Sequence, residues 1–350
     1  MKIRKIVSLL CATTMMVGLM AGCGGGNTAV GSSAAGSSAT SANEPAKVYE
    51  WKLATNIVKD TKTGKAFTDF AEKIKTATNG QVVVDVFHGA QLGAEADVMQ
   101  NCQAGSVQIV QMSFSLLAQF NEAFNVMDLP FIFDSKEHLA RFMETPEAQE
   151  LIDSFHANGL WVPGMWLMGY RYPNMVKGPI ENVDDFKGVI FRTMDNAVQM
   201  ATLEALGATP ITVPYSDVFN ALQGGVAEGW SCDASGYITT SSYEVARYIS
   251  TIPLFAVANG IIVSDKALDE LPEDLRQIVK DTISAEFPPV MAQMYDENIE
   301  QVQQCADAGC TVNEVTDIDP FIEAVSPVWD QVSEKYTGVG DLIKVIDSVR

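Results

Sequence analysis

Two arginines stand in surroundings that do not suit a free charge. Arg171 lies in Gly169-Tyr170-Arg171-Tyr172-Pro173-Asn174, among aromatic rings, and Arg192 ends the apolar run Gly188-Val189-Ile190-Phe191-Arg192. A guanidinium in a water-poor place needs an anion, and its planar fork matches a carboxylate through two parallel hydrogen bonds. That anion is either a carboxylate of the chain itself, with Asp184 and Asp195 nearest to Arg192 in sequence, or a bound acid. The residues leave the two readings open. The run up to Arg192 reads as a buried strand. A helix beginning near Asp195 would aim its N-terminus at the carboxyl end of that strand, where open α/β sheets place their ligands.

Catalytic chemistry finds much less to work with. His88, His138 and His156 are far apart and none lies in HExxH or another metal-binding spacing. Ser231-Cys232 is not part of a GxSxG elbow, and Gly224-Gly225 followed by Gly229 lacks the Lys-Ser/Thr of a phosphate-binding loop. The expectation is therefore a binding protein rather than an enzyme, with no metal or other cofactor.

The elements that must position the arginines follow from periodicity. Tyr49, Trp51 and Leu53 alternate with charged residues as in a strand, and Ala66, Phe67, Phe70, Ala71 and Ile74 recur at helical spacing up to a stop at Asn79-Gly80. Val82, Val84 and Val86 mark a second strand, a helix is predicted over about 94–104, and strands over 107–112, 189–192, 211–213 and 254–263. This βαβα order predicts an α/β protein with parallel sheets covered by helices, two sheets being joined by crossing segments. Leu271-Pro272 with Glu273 and Asp274 opens a long helix, and Pro288-Pro289 predicts a kink or a division into two.

The chain has 350 residues, 47% of them hydrophobic, with 23 Lys+Arg against 44 Asp+Glu and a formal charge of −21. Such a surface repels phosphate backbones, which excludes nucleic acid as a partner. Six cysteines without a CxxC pair make no disulfide scaffold; Cys305 and Cys310 either close a small loop in an oxidising envelope or remain two thiols. Residues 1–23 have the layout of a secretory signal: Lys2, Arg4 and Lys5, an apolar run from Ile6 to Met20, then Ala21 and Gly22 before Cys23. Met20-Ala21-Gly22-Cys23 resembles the bacterial lipobox, which implies a lipid on Cys23; the alternative is an ordinary cleaved signal. The Gly, Ser, Ala and Thr of residues 24–46 read as a flexible tether for a folded part over 47–350.

Several blocks, in order from Trp51 onward, resemble one family. They are Trp51-Lys52-Leu53-Ala54-Thr55-Asn56, Gln91-Leu92-Gly93, Gln103-Ala104-Gly105, Leu129-Pro130-Phe131, Asp185-Phe186-Lys187-Gly188 with Arg192, Leu206-Gly207-Ala208-Thr209-Pro210, and Tyr215 to Gln223. With Gly229 and Tyr243-Glu244-Val245 they resemble the DctP-type extracytoplasmic solute receptors of TRAP transporters. The resemblance implies a two-lobed, periplasmic-binding-protein-like fold of the class II type, with a hinge and a long helix spanning both lobes. Lobe I would comprise about 47–168 and 258–297, and lobe II about 169–257 and 298–350.

It implies further that Arg192 forms the salt bridge with a ligand carboxylate, that Arg171 is the second basic residue, and that Asn56, Ser113 and Tyr215 are pocket contacts. The partners implied are a small carboxylate, an organic or sugar acid, and the membrane permease. The runner-up is a receptor for an ABC importer or a sensor, and an exported hydrolase is a weaker third. Two departures stand out: Trp230-Ser231-Cys232-Asp233 replaces a Gln-Glu-Asn-Pro stretch whose Asn touches ligand, and Asp195 stands where Asn often follows the arginine. Trp230 and Cys232 thus line the pocket or pack in the core, and Asp195 is a candidate contact.

Overall fold

Short runs of β-branched and aromatic residues become the strands, and their burial follows the alternation of the sequence. The structure, a computed structural model, describes residues 47–350; the signal, Cys23 and the tether lie outside the described residues. The strands are β1 (Tyr49–Ala54), β2 (Val82–Phe87), β3 (Ile109–Ser113), β4 (Leu160–Trp161), β5 (Trp166–Met175), β6 (Ile190–Thr193), β7 (Thr209–Thr212), β8 (Gly229–Cys232), β9 (Tyr248–Ser250), β10 (Phe255–Ser264) and β11 (Thr311–Asn313). Their order is β2-β1-β3-β10-β5-β8-β6-β7, with β4 on β10, and β9 joining β5 to β11.

Pairing is parallel within β2-β1-β3 and within β7-β6-β8, as expected. The crossing segments expected to join the two sheets are β5 and β10, and they pair antiparallel: β10 to β3 and β5, and β5 to β8 and β9. The reason is topological. One strand carries the chain out of the first half and another brings it back, so two neighbouring crossing strands must oppose each other. The result is a two-lobed mixed α/β fold.

Helices cover both halves. Thr61 caps Lys62–Ala77 by accepting from the Gly64 N–H, and the helix stops where Asn79 and Gly80 take φ of +50° and +78°. The helix expected over 94–104 spans Glu95–Gln103. The long helix, Glu273–Asp307, is continuous, so the predicted division into two at Pro288-Pro289 does not occur. Two prolines inside a helix cost about 3 kcal/mol or more each. Packing on both sides of them offsets this: Ile283, Phe287, Val290 and Met291 are buried against Leu53, Phe67, Phe70 and Val84 of the first half. At its far end the same helix places Cys305 in a second core with Trp230, Tyr237 and Ile249. Cys305 and Cys310 are free buried thiols, as are Cys102 and Cys232.

Candidate ligand-binding site

The carboxyl ends of β1, β3 and β6, the middle of β5 and β10, and the end of β8 enclose a cavity of about 70 Å³. Its lining includes Asn56, Glu95, Gln111, Ser113, Met168, Arg171, Tyr215, Cys232, Asp233 and Asn259. Five of the residues expected at the site are brought together there: Asn56, Ser113, Arg171, Tyr215 and Cys232. Arg192 and Trp230 stand behind that lining, and Asp195 is not part of it.

Arg192 is 3% exposed. Its Nε and Nη2 both donate to the Val213 carbonyl, at 2.9 and 2.7 Å, and its guanidinium carbon lies 5.7 Å from the centre of the Trp230 ring. Burial, with Arg171 nearby, brings its pKa down to about 10. Trp230 is fully buried, its indole N–H donating to Asn174 Oδ1 at 3.0 Å and its ring against Tyr237 and Tyr215. It therefore packs in the core and backs the arginine, the bland one of the two readings. Arg171 is 5% exposed, and the one hydrogen-bond partner of its side chain among the described residues is the Met194 sulfur at 3.9 Å.

Neither arginine has a carboxylate within ion-pair distance among the described residues. Asp184 pairs with Lys187 at 2.7 Å on the surface. Asp195, expected as a candidate contact, is exposed and lies outside the cavity lining. Asn196 is the inward side chain: its Oδ1 accepts from the Val198 and Gln199 N–H groups and so caps Ala197–Ala205, while its Nδ2 donates to Asp128 Oδ2 at 2.9 Å. A cap that must accept from backbone and donate to a buried carboxylate suits an amide, not an acid. Asp128 also accepts from Ser115 at 2.6 Å and Gln199 at 2.8 Å, and burial pushes its carboxyl up.

Reading the residues alone missed six polar groups of the lining, Ser235, Thr239 and the four that follow. Glu95 accepts from Asn56 Nδ2 at 2.7 Å; burial pushes its carboxyl up, opposed by the pull of Arg171 and Arg192. It begins a helix, where an acid is unremarked. Gln111 and Asn259 bond each other at 2.7 Å, and their signal was a polar residue inside each of two apolar strands. Asp233 caps Ala234–Thr239 and belongs to the stretch that departs from the family pattern. No histidine lines the cavity.

Burial also pushes the Cys232 thiol up, with Asp233 adding to the shift. In the folded protein Cys232 should react with iodoacetamide at pH 8 more than about a hundredfold slower than free cysteine, since the thiolate is the nucleophile. Timed labelling with peptide mass spectrometry measures this. A rate within about tenfold of free cysteine would show that the thiol is not held in this environment.

Comparison with known proteins places this geometry. Residues 53–335 match the DctP family model, described as bacterial extracellular solute-binding protein, family 7. A solute-binding protein of Chromohalobacter salexigens is 26% identical over 288 residues, covering 82% of this chain and 85% of its own. The C4-dicarboxylate-binding periplasmic protein DctP of Rhodobacter capsulatus is 28% identical over 288 residues, covering 81% and 86%. A crystal structure of a TRAP periplasmic solute-binding protein from Chromohalobacter salexigens with bound D-glucuronate superposes with a TM-score of 0.81 at 25% identity, covering 86% of this chain and 100% of that one. A shared fold, a family match across most of the described residues and a polar cavity at the strand ends lead to one assignment: the chain belongs to the family 7 bacterial extracellular solute-binding proteins.

Proposed function

We propose that this chain captures a small carboxylic acid, organic or sugar-derived, between its two lobes and presents it to a TRAP-type permease. The observation that carries this reading is the pair of buried arginines without a carboxylate partner among the described residues. A buried guanidinium without a direct ion-pair partner costs several kcal/mol, and an acid bound in the cavity supplies that direct partner. Arg171 offers its fork at the wall, while Arg192, anchored to Val213, adds positive potential from behind. Relatives that bind glucuronate or C4-dicarboxylates support the same class of ligand. Closure follows from the better fit of the acid to the closed state, so capture needs no nucleotide. The lobes would be those expected from the resemblance, with β5 and β10 as crossing strands.

A thermal-shift screen of residues 47–350 against organic and sugar acids tests the reading. A ligand at 100 times its Kd adds about 2.7 kcal/mol to the stability of the native state. Failure of every carboxylate to raise the melting temperature would overturn it.

The anchor belongs to the same proposal. Cys23 carries a lipid and residues 24–46 tether the receptor outside the cytoplasmic membrane, a reading supported by the small residues before Cys23 and the polar arm after it. The full chain should partition into the detergent phase and Cys23→Ser into the aqueous phase. A mature N-terminus at another residue, found by mass spectrometry, sinks the anchor and leaves the receptor reading untouched.

A further inference from the structure

The arginines account for one end of a ligand; the carboxylates of the wall account for the other. Asp233 is 4% exposed and lines the cavity. Its Oδ2 is fully engaged, accepting from the Gly236 N–H at 3.3 Å, from Asn298 Nδ2 at 2.8 Å and from the Ser235 hydroxyl. Its Oδ1 has one partner among the described residues, the Cys232 thiol at 3.5 Å, which is a weak donor. A buried carboxylate oxygen left this way lacks a full-strength donor. Glu95 repeats the pattern, with one oxygen held by Asn56 and the other without a partner among the described residues.

Charge sharpens the point. Arg171 and Arg192 balance Glu95 and Asp233, so one bound carboxylate leaves a single negative charge in excess. A second carboxylate would add another beside two acids with no further cation to take it. A hydroxyl or an ammonium group would instead donate to the open oxygens. Building on the carboxylate reading above, we propose that Asp233 is a specificity residue: it makes the receptor select a monocarboxylate bearing a hydrogen-bond donor away from its acid end, and reject a second carboxylate.

Four six-carbon acids separate the possibilities: galactonate with hydroxyl donors, 6-aminohexanoate with an ammonium, hexanoate with neither, and adipate with a second carboxylate. Calorimetry on the wild type should show galactonate or 6-aminohexanoate binding at least about tenfold tighter than hexanoate and adipate. The stronger of the two identifies the donor. In Asp233→Asn, the amide oxygen can still accept from Gly236 and Asn298 while its NH2 replaces the open acceptor. The preferred acid should weaken at least about tenfold and adipate should bind more tightly than to the wild type. A merely structural role would weaken all four alike, and that result overturns the inference. So does a wild type that binds hexanoate or adipate as tightly as the donor-bearing acids, a measurement that stands even if the variant does not fold. If none of the four gives heat or a melting shift at about 10 mM, this inference falls, while the carboxylate reading stands or falls on the wider thermal-shift screen.

Discussion

Arg192→Ala is expected to fold and to lose about 3 to 5 kcal/mol of binding, roughly two to four decades of affinity for the captured acid. Arg171→Ala should lose a similar amount, because it removes the fork at the cavity wall while Arg192 supplies only part of the field. Lysine should rescue neither. At position 192 the guanidinium donates Nε and Nη2 together to the Val213 carbonyl behind the cavity wall, an anchorage by a planar fork that an ammonium on a lysine stem cannot reproduce. At position 171 a point charge cannot match both oxygens of a carboxylate. Calorimetry with the best acid from the thermal screen, on the four variants and the wild type, gives the numbers. If both alanine variants bind that acid within about threefold of wild type, the arginines are structural and the anion is held elsewhere.

The largest expected effect on stability is at Phe287. Its ring is fully buried, with those of Phe70, Trp166 and Phe67 at 5.4, 5.5 and 6.0 Å, and it directly precedes the two prolines. Phe287→Ala should cost about 3 to 5 kcal/mol from lost transfer energy and the cavity left behind. The upper part of that range is expected, because helix continuity at Pro288-Pro289 depends on packing rather than on its own hydrogen bonds. Urea unfolding followed by circular dichroism would show the loss. A change below about 1 kcal/mol would mean that the helix crosses the prolines for some other reason.

Much of the frame was legible in the residues. The alternation in Tyr49–Ala54, the helical spacing from Ala66 to Ile74 and the stop at Asn79-Gly80 are local signals, and they coincide with β1, the helix after it and its end. The strand β5 was not legible. Gly169, Arg171, Pro173 and Asn174 carry no period-two pattern, and their pairing with β10, β8 and β9 is decided by distant partners. The helix runs on through Pro288-Pro289 rather than dividing there for the same reason: a local rule was overruled by Phe67, Phe70 and Trp166, which lie far away in sequence. At the site the arginines were visible because a charge in an apolar run is conspicuous. Glu95 and Asp233 were not, since an acid at a helix start ordinarily serves the helix, and only the folded chain turns them toward the arginines.

The strand that joins the two halves of the sheet is also the strand that carries Arg171. It pairs with β10 from Phe255 to Asn259, and that ladder slips out of register between Ala256 and Ala258, beside Tyr170 and Arg171. Past the slip, β5 turns its edges to β8 and β9. Such an irregularity bends a strand and tightens its twist locally, and here it lies next to the guanidinium. The guanidinium proposed to hold the anion therefore sits beside the one irregular rung between the strands that join the two halves, so the proposed ligand and the irregularity share one place in the sheet.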